Sequence, residues 1–509
     1  MVALLPPEPK IQLVQTLGAE AARAAAARAD SVILWLPPAV AAGSWPRGLP
    51  WLAALRAAAA RATRPRCGEV LLDTDVAEGT RLVRVVAACI ADDAEPFARL
   101  ELARRLAARA LAVRAREVCV WAPGAGRRTG ALLEAGAAAL LAAAQPMPSL
   151  AGEPPPAPSL RRVRLAGHAR RLELAATLAG AHGNHLARWL AALPPNVLTP
   201  EAYVRAARRL ARRHGWRVRF LDRRALARAG AGAFLAVARA GSRGAGILHL
   251  AYRPRRRAHP LLALVGKGVC FDTGGVNLKP ARHMQGMHGD MQGSAVALGT
   301  LAALTELGWP GPVDAWLAIA ENLVGPEAYR PHEVVRAADG TTIEVVHTDA
   351  EGRMLLADTL ALASRARPAA IIDYATLTGA CIYALGSRMS GVFSNRRALL
   401  ETLAEAGRAS GERVWPFPTE PDYDEALRSD IADVKQCTLE GEADHILAAR
   451  FLARFVPVGT PWVHVDLAAA EHEGGLAHVP TRFTGFGVRW TLALLGDVRR
   501  RARLLGEAA

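Results

Sequence analysis

In the larger, C-terminal part of the chain, apolar runs at 247–252, 261–265, 313–320 and 369–374 recur between segments with helical periodicity. Each run is short and apolar throughout, without the polar alternation of a half-wetted strand. Such strands belong to a sheet covered on both faces. A further strand is expected at 217–221, and helices near 294–307, 355–365, 397–406, 443–455 and 487–495. Thr199-Pro200 supplies an N-cap and a first-turn proline for a helix over 201–214. The pattern restricts this part to an α/β architecture, a mixed sheet with helices on both faces.

The first part repeats the pattern on a smaller scale. Strands are expected at 31–36, 69–72, 82–89 and 117–121, and helices at 16–28, 52–62 and 96–112, giving a small N-terminal α/β domain with no catalytic constellation. The segment PMPSLAGEPPPAP (146–158) reads as a proline-rich linker. Two domains are therefore expected, 1–158 and 159–509, the second entered through a linking helix over about 166–192 and each long enough for its own core. The nearly apolar stretch 131–144 is too short to span a bilayer and contains Glu134. The N-terminus lacks the pattern of a signal peptide, and the six cysteines are scattered without a C-x-x-C pair. Reduced thiols, a cytoplasmic location and no membrane partner are expected.

The formal charge of +16 raises the question of a nucleic-acid partner. Arginine is interleaved with alanine throughout, which fits solvated helix faces better than a binding patch, and no zinc-finger, basic-zipper or RNA-recognition signature is present. Only four of the 63 basic residues are lysine. Two of these fall in one stretch, Val265-Gly-Lys267-Gly-Val-Cys-Phe-Asp272-Thr-Gly-Gly-Val-Asn-Leu-Lys279-Pro280. Lysine can lose its proton and donate a lone pair, which arginine cannot. Lys267 and Asp272 are expected just after the strand 261–265, with Asp290 opening a helix. Asp349 and Glu351 follow the extended run 341–346; if that geometry continues, residues two apart project to one side. Four converging carboxylates would repel and protonate unless cations lay between them. With one neutral amine they are enough ligands for two divalent ions.

These stretches resemble the cytosolic leucyl aminopeptidase family. The resemblance is carried by the lysine stretch, Gly289-Asp-Met-Gln-Gly-Ser-Ala, Ala328-Tyr-Arg-Pro, Thr348-Asp-Ala-Glu-Gly-Arg353, Asp373-Tyr-Ala-Thr-Leu-Thr-Gly-Ala, Ser429-Asp-Ile-Ala-Asp-Val-Lys435 and Thr484-Gly-Phe-Gly-Val-Arg489, and it extends from about residue 165 to the C-terminus. It implies that Lys267, Asp272, Asp290 and Glu351 hold the tighter of two zinc or manganese ions, and that Asp272, Asp349 and Glu351 hold the second. It implies that Lys279 polarises the scissile carbonyl and that Arg353 anchors a bicarbonate acting as general base. The first-residue pocket would be lined by Met287, Thr376, Leu377, Gly379 and Ala468. The resemblance further implies removal of leucine-like N-terminal residues from short peptides by a homohexamer.

Three departures from the family pattern stand out. His347 replaces the usual asparagine at the edge of the pocket for the second substrate residue. Glu471 falls where some members have a pocket methionine; it is expected to face solvent, whereas an inward carboxylate would disfavour acidic substrates and weaken the leucine preference. His283, His288 and His445 are expected to be structural, since the ligand set is complete without them. Other catalytic motifs are absent: there is no P-loop, no H-E-x-x-H and no G-x-S-x-G. Two alternatives keep the same ligands: a DNA-binding or regulatory role on this fold, and a narrow dipeptidase, for example for cysteinylglycine.

Overall fold

The computed structural model describes residues 2–8, 10–61, 67–124 and 126–507. The chain forms two compact units. One comprises Pro7–Ala181 and Glu473–Arg482; the other comprises Met1–Pro6, His182–His472 and Phe483–Ala509.

In the first unit, strands β1 (Gln12–Thr16), β2 (Ser31–Leu36), β3 (Val70–Glu78), β4 (Arg81–Cys89), β5 (Glu117–Trp121) and β6 (Arg162–Ala166) form a sheet of order β1-β6-β5-β2-β4-β3 among the described residues. Every neighbouring pair is parallel except β3–β4. The outer strands β1 and β6 were not expected. β6 ends at Ala166, where the linking helix was expected to begin; in the structure that helix runs only from Ala175 to Ala191. The reason lies in the local alternation: Arg162 and Arg164 share one face and pair with Glu117, while Val163 and Leu165 are buried on the other. Gly167, at φ 87°, then turns the chain. The helix Thr129–Ala143 takes up the apolar stretch and packs into this unit's core beside the helix Pro96–Leu111.

Among the described residues, the second unit is built on a sheet of eight strands: β7 (Arg217–Asp222), β8 (Gly246–Tyr252), β9 (Leu262–Asp272), β10 (Val313–Asn322), β13 (Ala370–Ala375), β14 (Ser390–Ser394), β15 (Val414–Pro416) and β17 (Trp462–Asp466). Its order is β15-β14-β17-β13-β9-β10-β8-β7, parallel through β17, β13, β9 and β10 and antiparallel at β10–β8, β8–β7 and β17–β14. A small sheet joins β11 (Val334–Arg336), β12 (Thr342–Glu344) and β16 (Val434–Lys435). The mixed α/β class read from the sequence holds.

β9, at the centre of the large sheet, is longer than its apolar run because Gly266 and Gly268 continue it. A Cβ on Gly266 would sit 2.4 Å from Ser294 Cα, and one on Gly268 would sit 2.8 Å from Ser294 Oγ, so the helix Gln292–Glu306 lies tight against this face. Lys267, between the two glycines, points to the opposite face, toward the helix Glu351–Ser364. Among the described residues, no helix is long and apolar enough to cross a membrane.

Candidate active site

Lys267 lies inside β9 and Asp272 is its last residue; the sequence had placed both just beyond the strand. Between Val269 and Asp272 the pairing with β10 slips, three steps on β9 matching two on β10 (Ala320 to Asn322). Such a bulge changes the parity of the pleat and re-aims the next side chain. Asp272 thereby joins Lys267 on one side instead of facing away from it.

The other carboxylates arrive from turns and a helix start. Asp290 follows the single 3-10 turn Met287–Gly289, just ahead of the helix Gln292–Glu306. Asp349 and Glu351 do not continue an extended strand, as the sequence reading had it. β12 ends at Glu344, a turn closes with Ala350 N–H donating to His347 O at 3.1 Å, and Glu351 is the first residue of the helix Glu351–Ser364. A helix N-terminus favours a carboxylate there. The two side chains converge because the chain reverses direction at the turn.

The result is a buried nest. Oxygens of Asp272, Asp290 and Glu351 lie within 4.8 Å of one another. Lys267 Nζ stands 2.8 Å from Asp290 Oδ1 and 2.8 Å from Glu351 Oε1, and donates to Thr376 O at 3.0 Å. Lys279 Nζ is 2.9 Å from Asp272 Oδ2 and also contacts Asp349 Oδ1. All six predicted centre residues are thus brought together. Burial, with the charges of Glu351 and Asp272, pushes the Asp290 carboxyl up to about 7 against the pull of Lys267. Burial and Asp272 push Glu351 up to about 7 and Asp349 up to about 6. Burial alone would lower both amines, but the surrounding carboxylates outweigh it and hold Lys267 and Lys279 above the ordinary lysine range.

This donor set fits cations. Asp290 Oδ2 and Glu351 Oε2 are buried with no hydrogen-bond partner. An acceptor in that state costs free energy unless a positive charge sits beside it. Hard carboxylate oxygens with one amine suit manganese, zinc or magnesium.

Two supporting residues, Asn322 and Tyr329, were given no role by the sequence, although Tyr329 lies in the Ala328-Tyr-Arg-Pro stretch. Asn322, at the end of β10, donates to Asp272 Oδ1 at 2.8 Å and to Thr348 O at 3.0 Å. Tyr329 OH donates to Thr348 O at 2.6 Å, fixing the turn that carries Asp349. Asn322 could have been noticed as a polar residue closing an apolar strand. Arg353, 3% exposed, is clamped by Asp444 (2.8 and 2.9 Å) and by Gln436 O (3.1 Å), while its Nε is buried without a partner.

Of the pocket residues, Thr376 reaches the nest directly, its hydroxyl donating to Asp290 Oδ1 at 2.7 Å. Leu377 follows it, Gly379 opens the helix Gly379–Leu385, and Met287 begins the 3-10 turn that ends at Asp290. Ala468 is buried beyond the end of β17. His347 Nδ1 accepts from Asp349 N–H at 3.2 Å; burial and the Lys279 charge hold its pKa below the usual imidazole value. Glu471 is half-buried rather than facing solvent. A bridge to Phe483 turns it toward Gly289, whose Cβ would meet Glu471 Oε1 at 2.8 Å, and Gln292 Nε2 donates to it at 3.4 Å. His288 packs edge-on to Phe483 and His445 edge-on to Phe417.

Residues 185–492 match the model of the cytosol aminopeptidase family, catalytic domain. The chain belongs to this family. The cytosol aminopeptidase match takes in every residue of the nest and leaves the first 184 residues outside it. A probable cytosol aminopeptidase of Syntrophotalea carbinolica is 46% identical over 315 residues, 62% of this chain and 63% of that protein. One from Parasynechococcus marenigrum is 44% identical over 61% of this chain and 64% of its own length. The chain thus spans just under two thirds of these curated relatives. Solved structures match more of it. The bottromycin maturation enzyme BotP in complex with manganese has a TM-score of 0.79 at 33% identity, covering 91% of this chain and 98% of that one. A mutant tomato leucine aminopeptidase has a TM-score of 0.82 at 26% identity, covering 96% and 97%.

Proposed function

We propose that this chain is a metal-dependent aminopeptidase that removes the first residue from short peptides. The observation that carries the reading is the buried nest itself: four carboxylates, two of them with orphaned oxygens, closed around the amines of Lys267 and Lys279 inside a cytosol aminopeptidase catalytic domain. Lys267, Asp272, Asp290 and Glu351 would hold one divalent ion; Asp272, Asp349 and Glu351 would hold a second, with manganese or zinc in each. When bound, the ions supply Lewis-acid polarisation of the scissile carbonyl, an activated water and a seat for the free α-amine.

The remaining roles belong to side chains. Lys279, oriented by Asp272 and Asp349, brings positive charge to the carbonyl oxygen as it becomes negative. Arg353 is held rigid by Asp444, and its unpartnered Nε would be the donor that holds a bicarbonate, which when bound would supply a general base. Thr376 keeps Asp290 in place. Met287, Thr376, Leu377, Gly379 and Ala468 would receive a leucine-like first side chain, with Glu471 beside Gly289 disfavouring acidic ones. His347 would border the second substrate residue. A cytoplasmic homohexamer completes the reading.

The test is a panel of amino-acid amides, dipeptides and N-acetylated controls, assayed with Mn²⁺ or Zn²⁺ and with chelator. Cleavage of free-amine substrates only, dependent on metal, is expected. No turnover of any free-amine substrate in either metal would overturn the proposal.

A further inference from the structure

Among the elements that reach the nest from outside the lysine and Thr-Asp-Ala-Glu-Gly-Arg motifs is the turn 376–378 between β13 and the helix Gly379–Leu385. Thr376 touches the nest twice: its carbonyl accepts from Lys267 Nζ at 3.0 Å, and its hydroxyl donates to Asp290 Oδ1 at 2.7 Å. What holds the turn comes from the neighbouring strand. Asp466 closes β17, opposite Ala375 in the parallel pairing with β13, and is 1% exposed. Its Oδ1 accepts from Leu377 N–H at 3.1 Å and Thr378 N–H at 3.4 Å; its Oδ2 accepts from the Thr378 hydroxyl at 2.7 Å. That hydroxyl in turn accepts from Cys381 N–H at 3.1 Å and caps the helix.

We propose that Asp466 is a positioning residue for the Lys267 amine, acting through the turn 376–378; this rests on Lys267 being a metal ligand, as argued under the proposed function. Three donors meet one buried, acceptor-only carboxylate, so the peptide planes of the turn have a single satisfied orientation. That orientation aims the Thr376 carbonyl at Nζ. A neutral amine has two hydrogens and one lone pair. With one hydrogen committed to Thr376 O, the turn confines the lone pair to the two remaining positions on Nζ, which face Asp290 and Glu351. Asparagine at 466 would turn its N–H₂ to the Thr378 hydroxyl, reversing that bond, and would remove the charge that strengthens the two backbone bonds, so the turn is held more loosely.

The experiment is calorimetric titration of Mn²⁺ into chelator-stripped wild type, Asp466→Asn and Thr378→Val, with circular dichroism to verify folding. Wild type is expected to bind two ions. Asp466→Asn is expected to weaken one site about tenfold or more and to leave the other within about twofold, the size usual for losing a group that orients a ligand. Thr378→Val, which removes one of the three donors, is expected to weaken the same site by less. Folded variants with both affinities unchanged overturn the inference. So does equal weakening of both sites, which marks a general loosening. If Asp466→Asn does not fold, Thr378→Val decides by the same comparison. Failure of the underlying reading looks different: wild type takes up no Mn²⁺, or Lys267→Ala binds it as tightly as wild type, and either result takes this inference with it.

Discussion

At the scale of single residues, the two lysines of the nest have similar surroundings and separable duties. Lys267 is enclosed by Asp290, Glu351 and Thr376 O; Lys279 reaches only Asp272 and Asp349 and is the more exposed of the two. Lys279→Ala is therefore expected to keep Mn²⁺ while kcat falls about 10²–10³-fold, the usual loss when one donor to a developing oxyanion is removed. Metal titration beside steady-state kinetics checks this, and an unchanged kcat would take Lys279 out of the mechanism. The carboxyls also give a pH signature. In the metal-free protein Asp290 and Glu351 keep their protons up to about pH 7, against ordinary values of 3.8 and 4.5. Between those limits the folded state binds more protons than the unfolded one, so stability falls as pH rises from about 4 to about 7. Bound metal replaces those protons. The rise in melting temperature on adding Mn²⁺ is expected to grow across the same window, and a flat difference between the metal-loaded and chelated melting curves would contradict it.

At the scale of elements, the centre depends on how closely backbones approach. Gly352, in the first turn of the helix Glu351–Ser364, has Lys267 Cε, Cδ and Nζ within 2.7–2.8 Å of where a Cβ would stand. Alanine suits a helix better than glycine by about 1 kcal/mol, but a methyl at 352 would overlap the buried Lys267 side chain, an overpacking that costs about 1–3 kcal/mol. The added methyl would push the Lys267 amine aside. The expected outcome for Gly352→Ala is a modestly lowered melting temperature in chelator together with loss of the Mn²⁺-induced shift; full retention of that shift would show that the amine does not need its present place. The elements were unevenly legible. Strands with continuous apolar runs, β8, β10 and β13, lie within a residue or two of their expected bounds. β6 was given no element by the sequence reading, because its arginines match the polar composition around it, and the sheet partners β1 and β5 decide its state.

At the scale of the whole molecule, the +16 charge is the property that most invites a second function. Many of its arginines are spent on carboxylates or backbone carbonyls: Arg84 on Asp73 and Asp75, Arg164 on Glu117, Arg239 on Glu333, Arg450 on Asp424. Binding to duplex DNA is expected to be weak, indifferent to sequence and abolished by modest salt, as counterion release dictates for unpatterned charge. Filter binding over a salt series tests this; sequence preference persisting at high salt would establish a nucleic-acid role.

The sequence by itself determined the α/β class, the family and the identities of the residues that meet in the nest. These are properties of local pattern and of side-chain chemistry: apolar runs require a covered sheet, and lysine among carboxylates calls for cations. Tertiary structure decided how those residues meet. A bulge in β9 re-aims Asp272, a chain reversal and not an extended strand joins Asp349 to Glu351, and the bridge to Phe483 turns Glu471 inward. Asp466 reaches the Lys267 environment only because β17 lies beside β13. Each of these depends on which strands become neighbours, and strand neighbours are chosen by packing between segments far apart in the chain, where local sequence carries no record of the partner.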